Sequence, residues 1–212
     1  MNKIFAAALA LSLCAPSFMA NAEEKQDGPP RWFHLVGDEY FHIPVQDGWQ
    51  VVWADPKSGE SLIEIDFMPV DQDPADWQDK LTIQVIPKEE DMTAELMINQ
   101  IAVGFKKLCL DHIQTPNFPG MEKGIQSFQA IVGCEWQPPE FDKTVFENLY
   151  LRVFESPKAI YVQQRAWRLK EFSVLMLPPE IYEEDLGPIN NFVLCSLSGE
   201  GIPVCPIGTN DQ

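Results

Sequence analysis

Residues 160–168, IYVQQRAWR, gather two arginines, two glutamines, a tyrosine and a tryptophan within nine positions. Side chains alternate along an extended chain, so Tyr161, Gln163, Arg165 and Trp167 share one face, and Ile160, Val162, Gln164 and Ala166 the other. Aromatic rings bring contact area and a guanidinium brings paired hydrogen bonds, a mixture that marks recognition surfaces. Arg152 on the preceding strand and Arg168 at the end of this one extend the patch. The chemistry is capture of an anionic ligand or a protein partner. The competing reading is a solvated sheet face on which arginine stems lie across aromatic rings.

Bond-making constellations are harder to find. A serine hydrolase presents its nucleophile in a Gly-x-Ser-x-Gly turn or an equivalent, and neither Ser198, in Ser-Leu-Ser-Gly, nor Ser58, before Gly59, fits. His34 and His42 stand near Asp38 and Glu39, a set that reads as an acid/base or metal cluster or as ordinary edge residues. The acids Asp71, Asp73, Asp76 and Asp79 are close enough to share calcium, but an EF-hand loop needs a Gly at its sixth position and a distal Glu, and Pro74 interrupts the run. A solvated loop is the better reading. No Gly-rich phosphate loop or dinucleotide fingerprint occurs, and no metal or cofactor is expected. The many carboxylates leave a hydrolase as the alternative, since a glycosidase needs only two of them facing one sugar.

The closing stretch NFVLCSLSGEGIPVCP sets Cys195 and Cys205 ten positions apart around two glycines. Zinc sites favour close Cys-x-x-Cys pairs or a Cys pair with a following His pair, and thioredoxin-like redox sites need Cys-x-x-Cys; both patterns are absent. A covalent staple is the expectation. Compartment supports it: Lys3, the apolar run Ile4–Cys14 and Ala20-Asn21-Ala22 have the form of a cleaved secretory signal over residues 1–22. A lipoprotein cut before Cys14 would want a small residue where Leu13 stands. Cleavage removes Cys14 and leaves Cys109, Cys134, Cys195 and Cys205, an even set in an oxidising compartment. Four cysteines allow three pairings that sequence alone does not separate. Joining neighbours, Cys109 to Cys134 and Cys195 to Cys205, is the simplest, each bridge contributing about 3 kcal/mol by loop entropy.

Charge narrows the partners. The chain has 15 basic and 32 acidic residues, a net charge of −17, and loss of Lys3 with the signal makes it −18. Nucleic acid and anionic lipid surfaces are therefore excluded as partners, and no stable membrane insertion is expected. An exported or envelope protein, possibly of basic character, suits the charge, which also keeps an exported chain soluble.

The elements that would position these residues follow from periodicity. Residues 23–39 form a loose leader, and residues 40–212 a single domain with a stapled tail. Tyr40–Ile43 opens the strands; Gln50–Ala54 and Leu62–Met68 make a hairpin around the Asp55–Gly59 turn; Leu81–Pro87 follows. Ala94, Ile98, Ile101, Phe105 and Leu108 form an apolar stripe on a helix over 93–109, with Thr93 as N-cap and Glu95, Lys106 and Lys107 suiting its dipole. Gln126–Cys134, Val145–Phe154 and Ala159–Trp167 are strands, the last two joined by the Glu155–Lys158 turn. Pro178-Pro179 begins a helical segment with Ile181, Tyr182 and Leu186, and Pro188 begins a second piece running towards Cys195. The predicted class is α+β: a mainly antiparallel sheet with one long amphipathic helix and a C-terminal helix packed on it.

The Gly48-Trp49 strand opening, the 93–109 helix and the hairpin VFENLYLRVFESPKAIYVQQRAWR resemble the small Mog1/PsbP-like domains over roughly residues 40 to 196. What the resemblance implies is an adaptor or binding scaffold. The expected protein is thus an exported, periplasmic or secreted, non-enzymatic binding, adaptor or immunity-like inhibitor module, with a periplasmic hydrolase as the alternative.

Overall fold

A computed structural model describes residues 32–43, 47–54, 63–122, 124–137, 144–169 and 192–205. In chain order these form β1 (Trp32–Val36), β2 (Glu39–His42), β3 (Trp49–Ala54), β4 (Ile63–Pro69), β5 (Asp79–Pro87) and α1 (Ala94–Leu108). There follow β6 (Asp111–Gln114), β7 (Phe118–Glu122), β8 (Ile125–Trp136), β9 (Val145–Glu155), β10 (Ala159–Leu169) and β11 (Val193–Ser196). The larger sheet runs β3-β4-β5-β10-β9-β8-β6, with β7 also on β8, and a smaller one runs β1-β2-β11. Every strand pair is antiparallel. The signal-like segment, the 55–62 turn and residues 170–191 lie outside the described residues.

The long strands are continuous because their alternating positions are apolar on both faces. In β10, Ile160, Val162 and Ala166 enter one core cluster, which α1 completes with Ala94, Met97, Ile98, Ile101 and Phe105. Tyr161 and Trp167 enter the other, with Ile65, Phe67, Leu81, Ile83, Tyr150 and Phe154 from the large sheet. Phe41, Ile43, Phe192 and Leu194 from the small sheet and its flanks close that second layer. Phe192 stacks between Phe154 and Phe41, with centroids 5.1 and 5.6 Å away.

The helix begins and ends as its sequence dictates: the Thr93 side chain accepts from the Leu96 N–H at 3.1 Å, Glu95 lies in the first turn, and Lys106 and Lys107 lie in the last. Leu108, expected on the apolar stripe, is exposed, and Met97 occupies the buried face instead.

Three expectations are corrected. The α+β class gives way to a mainly antiparallel β-sheet fold with a single helix among the described residues. The chain arriving at Cys195 is a strand, not a helix: β11 pairs with β2, setting Leu194 against Phe41 and Cys195 against Tyr40. Phe192 and Leu194, two positions apart, both fill the core, which is strand spacing. The leader expected to extend to residue 39 also stops earlier, since Trp32–Val36 already pairs with Glu39–His42.

Candidate functional site

The alternation read in residues 160–168 is present, but its polar face is not turned to water. Tyr161, Gln163, Arg165 and Trp167 are all buried on the face of the large sheet opposite α1, with Gln163 and Arg165 at 0% exposure. Strand register explains the enclosure. Gln163 lies between Ile83 of β5 and Arg152 of β9, and Arg165 between Leu81 and Tyr150. These are central positions of a wide sheet, flanked by strands on both sides, on the face that carries the core cluster of Ile83, Tyr150 and Tyr161.

Arg165 is held by Asp79. Its Nε and Nη2 each donate to one carboxylate oxygen at 2.6 Å, the bidentate geometry that guanidinium and carboxylate planes favour. The guanidinium carbon lies 4.2 Å from the Trp49 ring centroid and 5.5 Å from that of Trp167. One donor is left over: Arg165 Nη1 is buried with no hydrogen-bond partner, as are both amide atoms of Gln163 and the Ser127 hydroxyl. An unmet buried polar group costs about 1–3 kcal/mol, so this is an expensive arrangement for a core. Arg152, across from Gln163, packs against the Phe154 ring at 4.8 Å, and burial pulls its pKa down to about 10.

Arg168 does not join the other five predicted residues. It lies on the α1 side, 4.0 Å from the Trp77 ring centroid, with Nε 3.4 Å from Glu147. Glu147 also accepts from the Trp136 indole at 2.9 Å. Burial pushes its carboxyl above the usual range, against the opposing pull of Arg168 and the indole.

A third polar group joins the two sheets. Glu39 Oε2 accepts from the Tyr161 hydroxyl at 2.7 Å and from Ser156 Oγ at 2.8 Å, and all three residues are buried. Burial and the facing Glu39 push the tyrosine hydroxyl far up, so it stays a donor. Next to it, Lys158 and the Ser198 N–H both engage Asp38, which holds that carboxyl well below its usual value. Both acids of the suspected histidine cluster are thereby committed to joining the sheets. Burial lowers the pKa of the neighbouring His42.

Among the acidic loop residues, Asp73 accepts from the Ala75 N–H at 2.9 Å and Asp79 serves Arg165. A shallow depression of about 250 Å³ is lined by Lys88, Gln126, Glu155, Ser156, Pro157 and Gly201. Its charged pair, Lys88 and Glu155, is joined at 2.6 Å. The cysteines pair as neighbours: Cys109 with Cys134 and Cys195 with Cys205. The first bridge fixes the end of α1 to β8, and the second fixes the tail to β11.

Sequence reasoning missed Asp79 as the partner of Arg165, because the two are 86 positions apart and only strand register unites them. It also missed Glu39 and Ser156, whose one signal is that a Glu in an aromatic strand needs a buried donor.

Fold and polar groups together define a disulfide-stapled, antiparallel β-sheet protein with a buried arginine on its central strand. No protein-family model matches the sequence, and no curated protein matches it. Among solved structures, the chain is similar to that of LpqN, described as involved in cell envelope biogenesis of Mycobacterium tuberculosis. The two share 13% identity with a TM-score of 0.49, over 80% of this chain and 87% of that one. This is a likeness of fold, and the Mog1/PsbP-like resemblance is not confirmed by it.

Proposed function

We propose that the protein is an exported, non-enzymatic binding or adaptor module that contacts another exported or envelope protein. Two disulfides support the compartment, since such bonds persist in oxidising surroundings. The observation that carries the contact is an apolar edge. β7 lies outermost on β8, and its Phe118 and Met121 are 55% and 71% exposed, Met121 on the α1 side of the sheet and Phe118 on the other. Asn99 of α1 accepts from Asn117 at 2.7 Å, which brings the helix against the start of this strand. Exposed Leu96 and Val103 flank Asn99 by three and four positions, so on the helix they adjoin the Asn117 and Met121 side of this edge. Exposed aromatic and methionine side chains at a sheet edge mark interaction sites. Pro119 lacks an N–H, which discourages ladder extension along β7 and leaves side-chain packing as the mode of contact. A net charge of −17 favours a basic partner.

The test is site-specific photo-crosslinking in the native envelope from position 121, with position 70 on the opposite side of the sheet as control. A discrete adduct from 121 alone, lost in a Leu96→Asp/Val103→Asp variant of unchanged Tm, supports the reading. Equal labelling from both positions sinks it.

A further inference from the structure

We propose that α1 carries a second contact line on its outer face, and that a second copy of this chain packs there, helix against helix and antiparallel. This rests on the reading of the α1 side of the protein as a contact surface, and it names what covers that surface when no other protein is bound.

Two lines of residues on α1 have the spacing of packed helices. The inner one, Ala94, Met97, Ile98, Ile101 and Phe105, is buried against the sheet. The outer one runs Leu96, Asn99, Val103 and Lys106, at intervals of three, four and three, the repeat by which one helix seats along another. Leu96 and Val103 lie two turns apart on the same side of the helix and are 44% and 52% exposed. Asn99, between them, is also exposed and reaches across to Asn117.

Charge selects the occupant and its direction. Glu95 stands in the first turn and Lys106 and Lys107 in the last, all three exposed. Glu95 and Lys106 are eleven positions apart, close to three full turns, so they mark the two ends of one flank, about 16 Å from each other. That separation is too great for them to pair within one chain, and none of the three belongs to an ion pair among the described residues. A parallel copy would set glutamate against glutamate and lysine against lysine. An antiparallel copy brings Glu95 of each chain towards Lys106 of the other, once at each end, with the Leu96 and Val103 pairs stacked between. A two-fold interface demands this property, that one patch be complementary to itself. The contact is a single helix pair, and two chains of net charge −17 repel each other, so a dissociation constant of about 10–100 µM is expected.

Sedimentation equilibrium of the full, disulfide-bonded chain, from about 5 to 300 µM, reads the association directly. Glu95→Lys and Lys106→Glu should each raise the dissociation constant about tenfold, because each turns two attractive pairs into two repulsive ones. The double variant restores opposite charge and should return to within about threefold of the parent. Asp71→Lys makes the same charge change as Glu95→Lys at an exposed position off the helix, and should not weaken association. Leu96→Asp/Val103→Asp, with Tm unchanged, should leave a monomer. The proposal is overturned by a monomer at every concentration, by a double charge variant no tighter than the single ones, by equal weakening from Asp71→Lys, or by parent-like association of Leu96→Asp/Val103→Asp. Capture of another protein from position 121 by a chain that is monomeric in solution overturns this inference alone. A dimer that shows the charge rescue, with no such capture in the envelope, supports the inference and removes the other partner.

Discussion

Arg165 and Asp79, 86 residues apart, form a two-pronged ion pair at 2.6 Å in which the arginine side chain is 1% exposed and the aspartate 21%. The pair clamps β10 to the first residue of β5, where the register sets Trp167 against Asp79. Breaking a pair of this kind strands a buried charge, which costs about 3–5 kcal/mol, whereas replacing both partners by apolar groups of similar volume is far milder. Asp79→Asn should therefore lower the urea midpoint sharply, and Asp79→Leu/Arg165→Met should recover much of the loss. Additive effects of the two single changes, measured by denaturation, would show that the residues do not act as a unit.

Much of the strand framework was legible because apolar alternation is a local property. Leu81–Pro87, Val145–Phe154 and Ala159–Trp167 were placed within two residues of the observed bounds, and the Thr93 cap marked the helix start. The two short strands after α1 were not read, since Asp111–Gln114 and Phe118–Glu122 carry little alternation and owe their form to pairing with β8. The β11 error has a related cause: Ile181, Tyr182 and Leu186 have a helical spacing in the sequence and Pro188 reads as a helix opening, whereas the strand at Val193–Ser196 owes its form to pairing with β2. Sequence period located the face carrying Gln163 and Arg165. It gave no sign that the face is interior, because exposure depends on what the rest of the chain packs on it.

Two carboxylates should impose opposite pH slopes on stability. Burial raises the Glu147 pKa in the folded state, so between its unfolded and folded values the native protein holds more protons than the unfolded one. Stability contributed there falls as pH rises through that window, which begins at the ordinary Glu value and extends upward. Glu155 is the reverse. Burial works against its ionisation, but the Lys88 ammonium and the Ala94 N–H prevail and lower its pKa. Its contribution is present above the ordinary Glu value and is lost as pH falls through the folded value. Melting curves from pH 3 to 8 should show Glu147→Gln flattening the upper limb and Glu155→Gln flattening the acid limb. Exchange of these two effects would overturn both assignments.

The tail bridge should matter more than its short loop suggests. Cys195 and Cys205 enclose a segment that engages Asp38 and the small sheet through the Ser198 N–H at 3.0 Å and the Leu197 N–H at 3.0 Å. Removing a bridge of this loop length costs about 3 kcal/mol by chain entropy alone. Cys195→Ala/Cys205→Ala should lower Tm and speed hydrogen exchange at β11 and β2 before β8 and β9. Uniform acceleration across both sheets would mean that the staple acts on the whole fold and not on the small sheet.

Gly201 gives a sharper test of how that tail seats. Its φ of +73° is a conformation that side chains with a Cβ rarely adopt, and a Cβ added there would lie 2.5 Å from Pro157 Cγ. The tail therefore reaches the β9–β10 turn only by backbone approach. Behind that turn, Ser156 joins Glu39 and Tyr161, so displacing the tail should loosen the junction of the two sheets as well. Gly201→Ala is expected to cost about 1–3 kcal/mol, from the strained backbone together with the clash. Pro157→Ala removes the ring that the new Cβ would meet, and in the double variant it should restore the clash component but not the backbone component. Partial rescue by thermal melting is the expected result; complete rescue would assign the whole effect to packing, and none would assign it to φ alone.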